Sequence, residues 1–489
     1  MQARSAASAV PAAEVTAAVD PARILADMRV AQAREPVPAW PVRAARLRAL
    51  DALVREHRAA IAAAIDQDFG ARPRQETELL EVFPSLAGIA HALKHGRGWM
   101  RAQRAWAGKW FLPARTELRP RPLGVVGIIV PWNYPLYLAI APLTDALAAG
   151  NRVMIKMSEF TPGFSALFAE LVARHFPAGE VVVINGDAEV ARAFAALPFD
   201  HLLFTGSTAV GSHVMRAAAA NLTPVTLELG GKSPALIGPQ AGMATAAERI
   251  VFGKAMNAGQ TCIAPDYVLL PRARMDEFIT AARAEVARMY PDFAGNKQYA
   301  SIVSERHHAR LLALRDDAVA AGATAHVLAA GDDPTRRRLA PTLLTGVDDA
   351  MAVMREEIFG PLLPLVPYDE LDEAIERIAR GPHPLALYVF DQEPANVERV
   401  LARVAAGGVS VNDTLLHVAQ HHLPFGGIGA SGMGAYHGET GFRTFSHLTP
   451  VFRQAKWNTV AWLNPPWGGR FAQLLKLLTG SARRTGREP

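Results

Sequence analysis

Cysteine is nearly absent from this chain, since Cys262 is the single one among 489 residues. One thiol excludes an intrachain disulfide, and a chain without disulfides fits a reducing compartment, so we expect a cytoplasmic protein. The chain is longer than a domain with a single hydrophobic core usually is, so two or more domains are expected. A hydrophobic content of 50% with 20% charged residues is ordinary for a globular protein.

The body of the chain has almost no net positive charge. The formal net charge is +5, and the last twenty residues hold +4 of it. The charged residues of this segment are Arg470, Lys476, Arg483, Arg484, Arg487 and Glu488. The body therefore lacks the basic face that binds nucleic-acid phosphates, and no nucleic-acid partner is expected.

An apolar run without charged residues, 122–144, lacks the character of a membrane span despite its length. Pro131 and Pro135 would break a spanning helix, and Asn133 would place an amide in hydrocarbon. The run instead predicts a buried strand, a PWNYP loop and a helix of about three turns that ends at Gly150.

Short β-branched runs alternate with Ala- and Leu-rich helical segments. RVMIK precedes SALFAELVARHF, VVVIN precedes AEVARAFAAL, and HLLFTG precedes TAVGSHVMRAAAAN. This alternation predicts an α/β fold with parallel βαβ units and a dinucleotide site at the carboxyl ends of the strands. The pattern restarts after PVTLELGG, so a second α/β domain is expected from Glu228 onward.

Two residues in separate motifs suggest covalent chemistry. Cys262 ends the run GQTC (259–262), and Glu228 lies 34 residues earlier in LELGGKSP (227–234). A thiol near a glycine, paired with a candidate base, is typical of a nucleophile that attacks a carbonyl. Taken alone, an isolated cysteine is more often a small buried apolar residue, and a glutamate before Gly-Gly can be structural.

Seven motifs give nearly the whole chain, about residues 40–450, a resemblance to the aldehyde dehydrogenase superfamily. They are PWNYP (131–135), MIKMSE (154–159), FTGSTAVG (204–211), LELGGKSP (227–234), GQTC (259–262), EEIFGP (356–361) and LPFGGIGASGMGAYHG (423–438). NAGQTCIAPDYVL and the YHG ending resemble the class 3 branch. DFG, EVFP, NRVMIK and FDHLLFTGSTAVG resemble its coniferyl aldehyde dehydrogenase members.

The resemblance implies NAD(P)-dependent oxidation of an aldehyde to the carboxylic acid. Cys262 would attack the carbonyl, and the Asn133 side-chain amide with the Cys262 backbone N–H would stabilise the resulting oxyanion. Loss of hydride would leave a thioester, which Glu228 would help water to hydrolyse. The resemblance favours hydrophobic aldehydes, with coniferaldehyde-like aryl-propenals ahead of long-chain alkanals.

Cofactor contacts are implied in the same way. Lys156 and Glu159 match residues that bind the adenosine ribose, and a carboxylate there favours NAD, with NADP as an alternative. The whole expected set is Trp132, Lys156, Glu159, Gly206, Ser207, Gly211, Leu229, Glu357 and Phe359. Met157 departs from the family pattern, which usually has proline there, and it restores a backbone N–H.

The resemblance also implies how the chain is divided. The expected segments are a disordered lead (1–20), an NAD-binding domain (21–103, 123–227 and 430–445), a catalytic domain (228–429), an oligomerisation arm (104–122 and 446–456) and a tail (457–489). The arm implies a homodimer.

The tail predicts a short helix through RFAQLLKLLTG, ended by Gly480. One face carries Phe471, Leu474, Leu475 and Leu478. The segment is too short to span a membrane, so this face would pack on the protein or associate weakly with an anionic membrane surface.

Three histidines and two other functional classes complete the interpretation. Adjacent His421 and His422 lack a third ligand at metal spacing, so no metal site is expected, and His437 is interpreted as structural. A CoA-acylating enzyme would not need Glu228 as a water activator. A non-catalytic NAD-binding or scaffold protein would not need the thiol of Cys262.

Overall fold

The computed structural model describes residues 20–458 and 463–479. The chain forms two compact units, with boundaries after Trp99, Arg121 and Ser446. The larger unit contains residues up to Trp99 together with 122–446, and the smaller one contains 100–121 and residues after Ser446. Apart from Asp20, the lead expected over 1–20 lies outside the described residues.

The strands of the described chain are short and mostly apolar. In chain order they are β1 (Gln103–Ala105), β2 (Arg115–Pro122), β3 (Val125–Ile129), β4 (Arg152–Lys156), β5 (Val181–Ile184), β6 (His201–Gly206), β7 (Val225–Leu229), β8 (Pro234–Ile237), β9 (Tyr267–Pro271), β10 (Thr324–Val327), β11 (Thr342–Thr345), β12 (Leu362–Tyr368), β13 (Ala386–Phe390), β14 (Gly408–Val411), β15 (Gly432–Met433) and β16 (Ser446–Arg453).

Helices alternate with these strands over most of the chain. They are α1 (Pro21–Arg34), α2 (Trp40–Phe69), α3 (Arg74–Thr77), α4 (Phe83–Trp99), α5 (Tyr137–Ala149), α6 (Pro162–His175), α7 (Ala188–Ala195), α8 (Thr208–Ala219), α9 (Met243–Ala255), α10 (Met275–Met289), α11 (Glu305–Ala320), α12 (Ala352–Arg355), α13 (Leu371–Arg380), α14 (Pro394–Leu401), α15 (Gly438–Thr444) and α16 (Gly469–Thr479). A π-helical turn, Glu78–Val82, joins α3 to α4.

A six-stranded sheet in the larger unit has the order β15-β7-β6-β3-β4-β5. The five strands from β7 to β5 are parallel, and β15 is antiparallel to β7. Because parallel strands end at one edge, Lys156, Gly206 and Leu229 follow or end strands on the same edge of the sheet. The predicted α/β fold with parallel βαβ units is confirmed.

The apolar run over 122–144 forms a strand of this sheet and most of the helix that follows. All five residues of β3 are buried, and α5 follows, with Gly150 closing it in the left-handed conformation at φ 94°. The strand, loop and helix predicted there are therefore present. Among the described residues, no helix combines the length and apolar character that crossing a bilayer requires.

A seven-stranded sheet forms the second α/β part of the larger unit, in the order β10-β11-β12-β9-β8-β13-β14. Its strands are parallel except β10, which is antiparallel to β11. The expected domain boundary between Leu227 and Glu228 falls inside β7 of the other sheet. Glu228 is therefore held by the first sheet, although the sequence pattern restarts just after it.

The smaller unit contains a three-stranded sheet, β1-β2-β16. Its strands come from both segments that the resemblance assigned to an arm. Trp106 and Phe452 keep 74% and 51% of their surface exposed. Helix α16 has no buried residue in the described chain, and the expected end of this helix at Gly480 lies outside the described residues.

Candidate active site

A left-handed turn presents Cys262. Asn257, Ala258 and Gly259 have φ angles of 50°, 51° and 76°, a region that is unfavourable for residues with a Cβ atom. A Cβ at Gly259 would lie 2.4 Å from the oxygen of Gly360, so only glycine fits there. The chain then reaches Cys262, which keeps part of its surface exposed.

Two side-chain amides hold this turn in place. Asn257 Nδ2 donates to the backbone oxygens of Asn133 at 3.0 Å and Gln260 at 3.2 Å, and the Asn257 N–H donates to Glu76 Oε2 at 3.1 Å. Gln260 Nε2 donates to the backbone oxygens of Asn257 at 2.9 Å and Ser301 at 3.0 Å. These bonds offset the unfavourable backbone angles and fix the position of the thiol.

Asn133, in the loop between β3 and α5, lies against the same turn. Its Nδ2 donates to the Gln260 oxygen at 3.2 Å, and its backbone oxygen accepts from Arg72 Nη1 at 2.9 Å. An amide nitrogen carries two N–H groups. Among the described residues only one of them has an acceptor, so the second is available to a ligand beside Cys262.

A buried ion pair supports the Asn133 loop. Arg72 and Glu81 are fully buried, with Arg72 Nη1 3.0 Å from Glu81 Oε1. Glu81 Oε2 accepts the backbone N–H groups of Leu136 at 2.8 Å and Tyr137 at 3.1 Å. The Arg72 guanidinium also lies over the Tyr134 ring, 4.8 Å from its centroid. Sequence reasoning missed this pair, because nothing in either motif signals that both residues are buried.

Glu228 is a buried carboxyl group without a hydrogen-bond partner. It is 2% exposed, and neither of its oxygens is bonded within the described chain. Burial raises the pKa of Glu228 well above its ordinary value, because a low-dielectric surrounding disfavours the charge. The sheet register places Glu228 opposite Thr205 on β6 and Gly432 on β15. Such unpartnered groups concentrate at functional sites.

The thiol of Cys262 interacts electrostatically with two carboxyl groups. Burial raises the pKa of Cys262 to about 12, and the negative charges of Glu357 and Glu228 act in the same direction. Hydrogen bonds from the backbone N–H groups of Cys262 and Ile263 oppose the rise. The thiol therefore lies within electrostatic reach of both carboxyl groups, and its raised pKa keeps the resting thiol protonated.

Tyr436 belongs to the same group and was missed from the sequence, although it lies in the YHG run. Burial raises the pKa of Tyr436, followed by the charges of Glu228, Tyr137 and Cys262. Its neighbour His437 is buried and shares a 3.2 Å hydrogen bond with Tyr137. This contact agrees with the structural interpretation of His437.

Glu357 and Phe359 follow α12. A Cβ at Gly230 would lie 2.1 Å from Glu357 Oε2, so glycine permits the carboxyl group to approach the chain closely. Glu357 Oε1 has no partner among the described residues, and burial together with the charge of Asp266 raises the pKa of Glu357 to about 8. Phe359 has φ 53°, and its ring lies 5.4 Å from that of Trp132 at 75°.

Lys156 and Glu159 stand apart from this group, because β3 and β6 separate β4 from β7. Lys156 Nζ donates to the backbone oxygens of Met157 at 2.6 Å and Gly186 at 2.8 Å. Burial lowers the pKa of Lys156, and the negative charge of Glu159 opposes this. The Met157 N–H donates to Ile184 at 3.1 Å, a bond that proline could not make.

Helix α8 begins at the carboxyl edge of the six-stranded sheet. Gly206 ends β6, and Ser207 caps the helix by accepting the Val210 N–H at 3.4 Å. A Cβ at Gly211 would lie 2.5 Å from Leu229 Cδ2, so glycine allows the helix to pack closely on β7. A helix N-terminus at this edge favours a phosphate group.

These features fit a dinucleotide. The helix start at Ser207 and the ammonium group of Lys156 lie along one edge of the parallel sheet, where such ligands bind. At the other end of the site, the buried Glu357 Oε1 is an acceptor without a donor among the described residues, and a ribose hydroxyl would supply one.

The sequence of the chain is similar to those of known proteins over most of its length. A model of the aldehyde dehydrogenase family matches residues 5–451. A probable coniferyl aldehyde dehydrogenase of Pseudomonas aeruginosa is 51% identical over 452 residues, which cover 92% of this chain and 94% of that protein. A coniferyl aldehyde dehydrogenase of a Pseudomonas species is 48% identical, with 85% of this chain and 86% of that protein covered.

Solved structures share the fold. The substrate-bound state of Staphylococcus aureus AldH superposes with a TM-score of 0.88 at 36% identity, covering 93% of this chain and 99% of that one. A Mycobacterium tuberculosis aldehyde dehydrogenase complexed with NAD+ has a TM-score of 0.80 at 28% identity, covering 89% and 90%. Since the family model spans most of the sequence and these proteins match it over most of their length, the chain belongs to the aldehyde dehydrogenase family of enzymes.

Proposed function

We propose that the protein oxidises a hydrophobic aromatic aldehyde of the coniferaldehyde type to its carboxylic acid. The observation that carries this chemistry is the buried site shared by Cys262 and Glu228, in which the carboxyl group is bonded to no other described residue. The substrate class follows from relatives named coniferyl aldehyde dehydrogenases, which are 48% and 51% identical to the chain.

The first step is attack of the Cys262 sulfur on the aldehyde carbon. A carbon–sulfur bond forms, and the carbonyl electron pair moves onto oxygen. Because burial and neighbouring carboxyl groups raise the thiol pKa, the thiol must lose its proton as the attack proceeds. That proton leaves to solvent water, so Glu228 remains free to act as the base in the later hydrolysis.

Two donors meet the oxyanion. One is the Asn133 Nδ2 hydrogen that the Gln260 oxygen does not take, and the other is the backbone N–H of Cys262. Both are held by the hydrogen bonds around the left-handed turn, so they require little rearrangement when charge develops. Removal of one such donor typically lowers the rate by about 10²–10³-fold.

Glu228 acts in the last step, the hydrolysis that releases the product. Bound NAD(P) would supply the hydride acceptor, and loss of hydride from the thiohemiacetal would leave a thioester on Cys262. Glu228 then removes a proton from a water molecule while the oxygen of that water attacks the thioester carbon. The carbon–sulfur bond breaks, the acid leaves, and the thiol recovers its proton.

The proposed cofactor contacts run along the edge of the parallel sheet and into the thiol site. Their residues are Trp132, Lys156, Glu159, Gly206, Ser207, Gly211, Leu229, Glu357 and Phe359. The carboxylate of Glu159 favours NAD over NADP by repelling a 2′-phosphate. In this proposal, residues 21–103, 123–227 and 430–445 bind the cofactor, and residues 228–429 form the catalytic domain.

We further propose a cytoplasmic homodimer that pairs through the sheet of β1, β2 and β16. The exposed Trp106 and Phe452 in the smaller unit and the edge position of β16 support a partner surface. Light scattering should give twice the mass of one chain. A monomer mass at micromolar protein would contradict this assembly.

The deciding assay measures NADH and NADPH formation by purified protein over a panel of aryl-propenals and alkanals, with and without CoA. We expect the highest kcat/KM with NAD and aryl-propenals, a free acid as product, and no change with CoA. Acyl-CoA as the product would identify a CoA-acylating enzyme, and preference for long alkanals would identify the aliphatic alternative. Absence of turnover with every aldehyde would leave only a binding or scaffold role.

A further inference from the structure

Four histidines that have no assigned role in catalysis meet on the larger unit. His91 and His95 lie one turn apart on α4, with Trp99 on the next turn, so all three share one helix face. His421 and His422, from the segment between β14 and β15, lie against this face.

The ring geometry brings three ligand atoms together. One nitrogen from each of His91, His95 and His422 lies within 4.8 Å of the other two. The His422 ring stands edge-on to both helix histidines, with centroids 4.4 Å from His91 at 87° and 5.6 Å from His95 at 73°. Nitrogens that bind one tetrahedral zinc ion at 2.0–2.1 Å are about 3.4 Å apart. Small side-chain movements therefore suffice to bind an ion.

Imidazole nitrogens are common ligands of transition metals. A neutral imidazole offers a nitrogen lone pair, which a protonated ring cannot. In addition, the buried Nε2 of His421 has no hydrogen-bond partner among the described residues.

We propose that His91, His95 and His422 bind one divalent transition-metal ion, with Zn²⁺ as the reference ion and water completing the coordination. Imidazole nitrogens suit Zn²⁺, Cu²⁺ and Ni²⁺, and histidines at i and i+4 on a helix present two ligands from one rigid element. The ion ties α4 to the segment that leads into Phe425 and Tyr436.

The proposed site differs from what the sequence pattern indicated for a metal. The expectation that no metal binds rested on the missing third ligand beside His421 and His422. The fold supplies two such ligands, His91 and His95, from a helix more than 300 residues earlier in the chain. Spacing along the sequence could not have revealed them.

The test measures Zn²⁺ binding to the untagged full-length protein by titration calorimetry after chelator treatment. Cys262→Ser provides the background, so that the thiol cannot bind the metal. We expect one equivalent of Zn²⁺ and, with Co²⁺, the visible absorption of a tetrahedral nitrogen site. His95→Gln and His422→Gln should each weaken Zn²⁺ binding by more than about tenfold.

The matched control is His175→Gln, because Glu56, His57 and His175 form a second cluster of ligand atoms within the described residues. Zn²⁺ should also raise the melting temperature of the parent and of the His175 variant, but not of the His422 variant. His422 is exposed, so its substitution leaves the fold intact even if that of His95 does not. Unchanged affinity in His422→Gln, or loss of binding in His175→Gln, would overturn the proposal.

Discussion

Two buried glutamates in the larger unit have opposite surroundings. Glu81 is bonded to the Arg72 guanidinium and to two backbone N–H groups at the start of α5. Glu228 is buried to a similar degree, yet neither of its oxygens has a partner among the described residues. An unpartnered buried carboxyl group opposes folding, so its retention indicates a use other than stability.

This difference distinguishes the residues that position the site from the residues that react with substrate. Groups that position the site are bonded to the chain around them: Glu81 accepts backbone N–H groups, and the side chains of Asn257 and Gln260 donate to backbone oxygens. The groups proposed to exchange protons and bonds with substrate, Glu228 and Cys262, keep their reactive atoms free. Substitutions on the two sides should therefore affect different quantities, stability on one side and rate on the other.

The largest effect is expected from Cys262→Ala. Without the thiol no thioester forms, and the carboxyl group of Glu228 then has nothing to hydrolyse. We expect steady turnover to fall by at least about 10⁴-fold with the melting temperature nearly unchanged. NADH formation under saturating aldehyde measures this. Mass spectrometry of a slow substrate should show an acyl adduct on the parent alone, and turnover retained in the variant would contradict the nucleophile assignment.

Glu228→Gln should slow release of the product rather than formation of the thioester. Steady turnover should fall by about 10²–10⁴-fold, the usual contribution of a general base. A burst of NADH of up to one equivalent per site should remain, because the thiol loses its proton to solvent and not to Glu228. Rapid mixing measures the burst. A variant with parent-like steady turnover would show that Glu228 does not activate water.

The same variant tests the pH dependence of stability. Burial raises the pKa of Glu228, so its contribution to stability is complete below its ordinary pKa and is lost as pH rises through the folded value. Relative to the parent, Glu228→Gln should therefore become more stable with increasing pH. Denaturant unfolding at several pH values measures the difference, in which the shared contribution of Glu357 cancels. A constant difference would contradict the raised pKa.

Glu81→Gln should show the reverse pattern. It leaves the buried Arg72 charge without its partner, and breaking a buried ion pair typically costs about 3–5 kcal/mol. We expect a lower free energy of unfolding. The NADH burst and the steady turnover should fall by the same factor, because the substitution lowers the fraction of folded enzyme and does not block hydrolysis. Glu78→Gln, a partly exposed pairing with Arg74, is the matched control and should change stability little. Equal losses of stability in the two variants would show that the buried pair matters no more than the exposed one.

Asn133→Ala removes one oxyanion donor from the supported side of the site. We expect kcat to fall by about 10²-fold with cofactor affinity nearly unchanged, because the amide meets charge that exists mainly in the transition state. The backbone oxygen that Arg72 and Asn257 hold is unaffected by the substitution. Fluorescence titration with NADH checks binding, and an equal loss of binding would assign Asn133 a structural role.

The sequence predicted much of this fold because its patterns are local. Alternating apolar strands and amphipathic helices identified the parallel sheet, and motif spacing singled out Cys262 and Glu228. The supports were not predictable, since they depend on tertiary contacts. Arg72 and Glu81 carry no motif, and only the fold shows that both are buried. Similarly, Gly259 signals a turn, whereas the left-handed angles of Asn257 and Ala258 do not follow from their residue types.

The smallest effect is expected for an exposed carboxylate, Glu159, which adds a third case to the comparison. Glu159→Gln removes charge repulsion against a 2′-phosphate without removing hydrogen-bonding capacity, so the ratio of kcat/KM for NADP to that for NAD should rise a few-fold. Because Glu159 is exposed, solvent weakens the repulsion, and the effect should shrink further at high salt. Glu170→Gln, an exposed position on α6 paired with Arg174, is the control and should leave the ratio unchanged. If both variants keep the parent ratio at low salt, Glu159 does not face the ribose, and the preference between the two cofactors must arise from other residues.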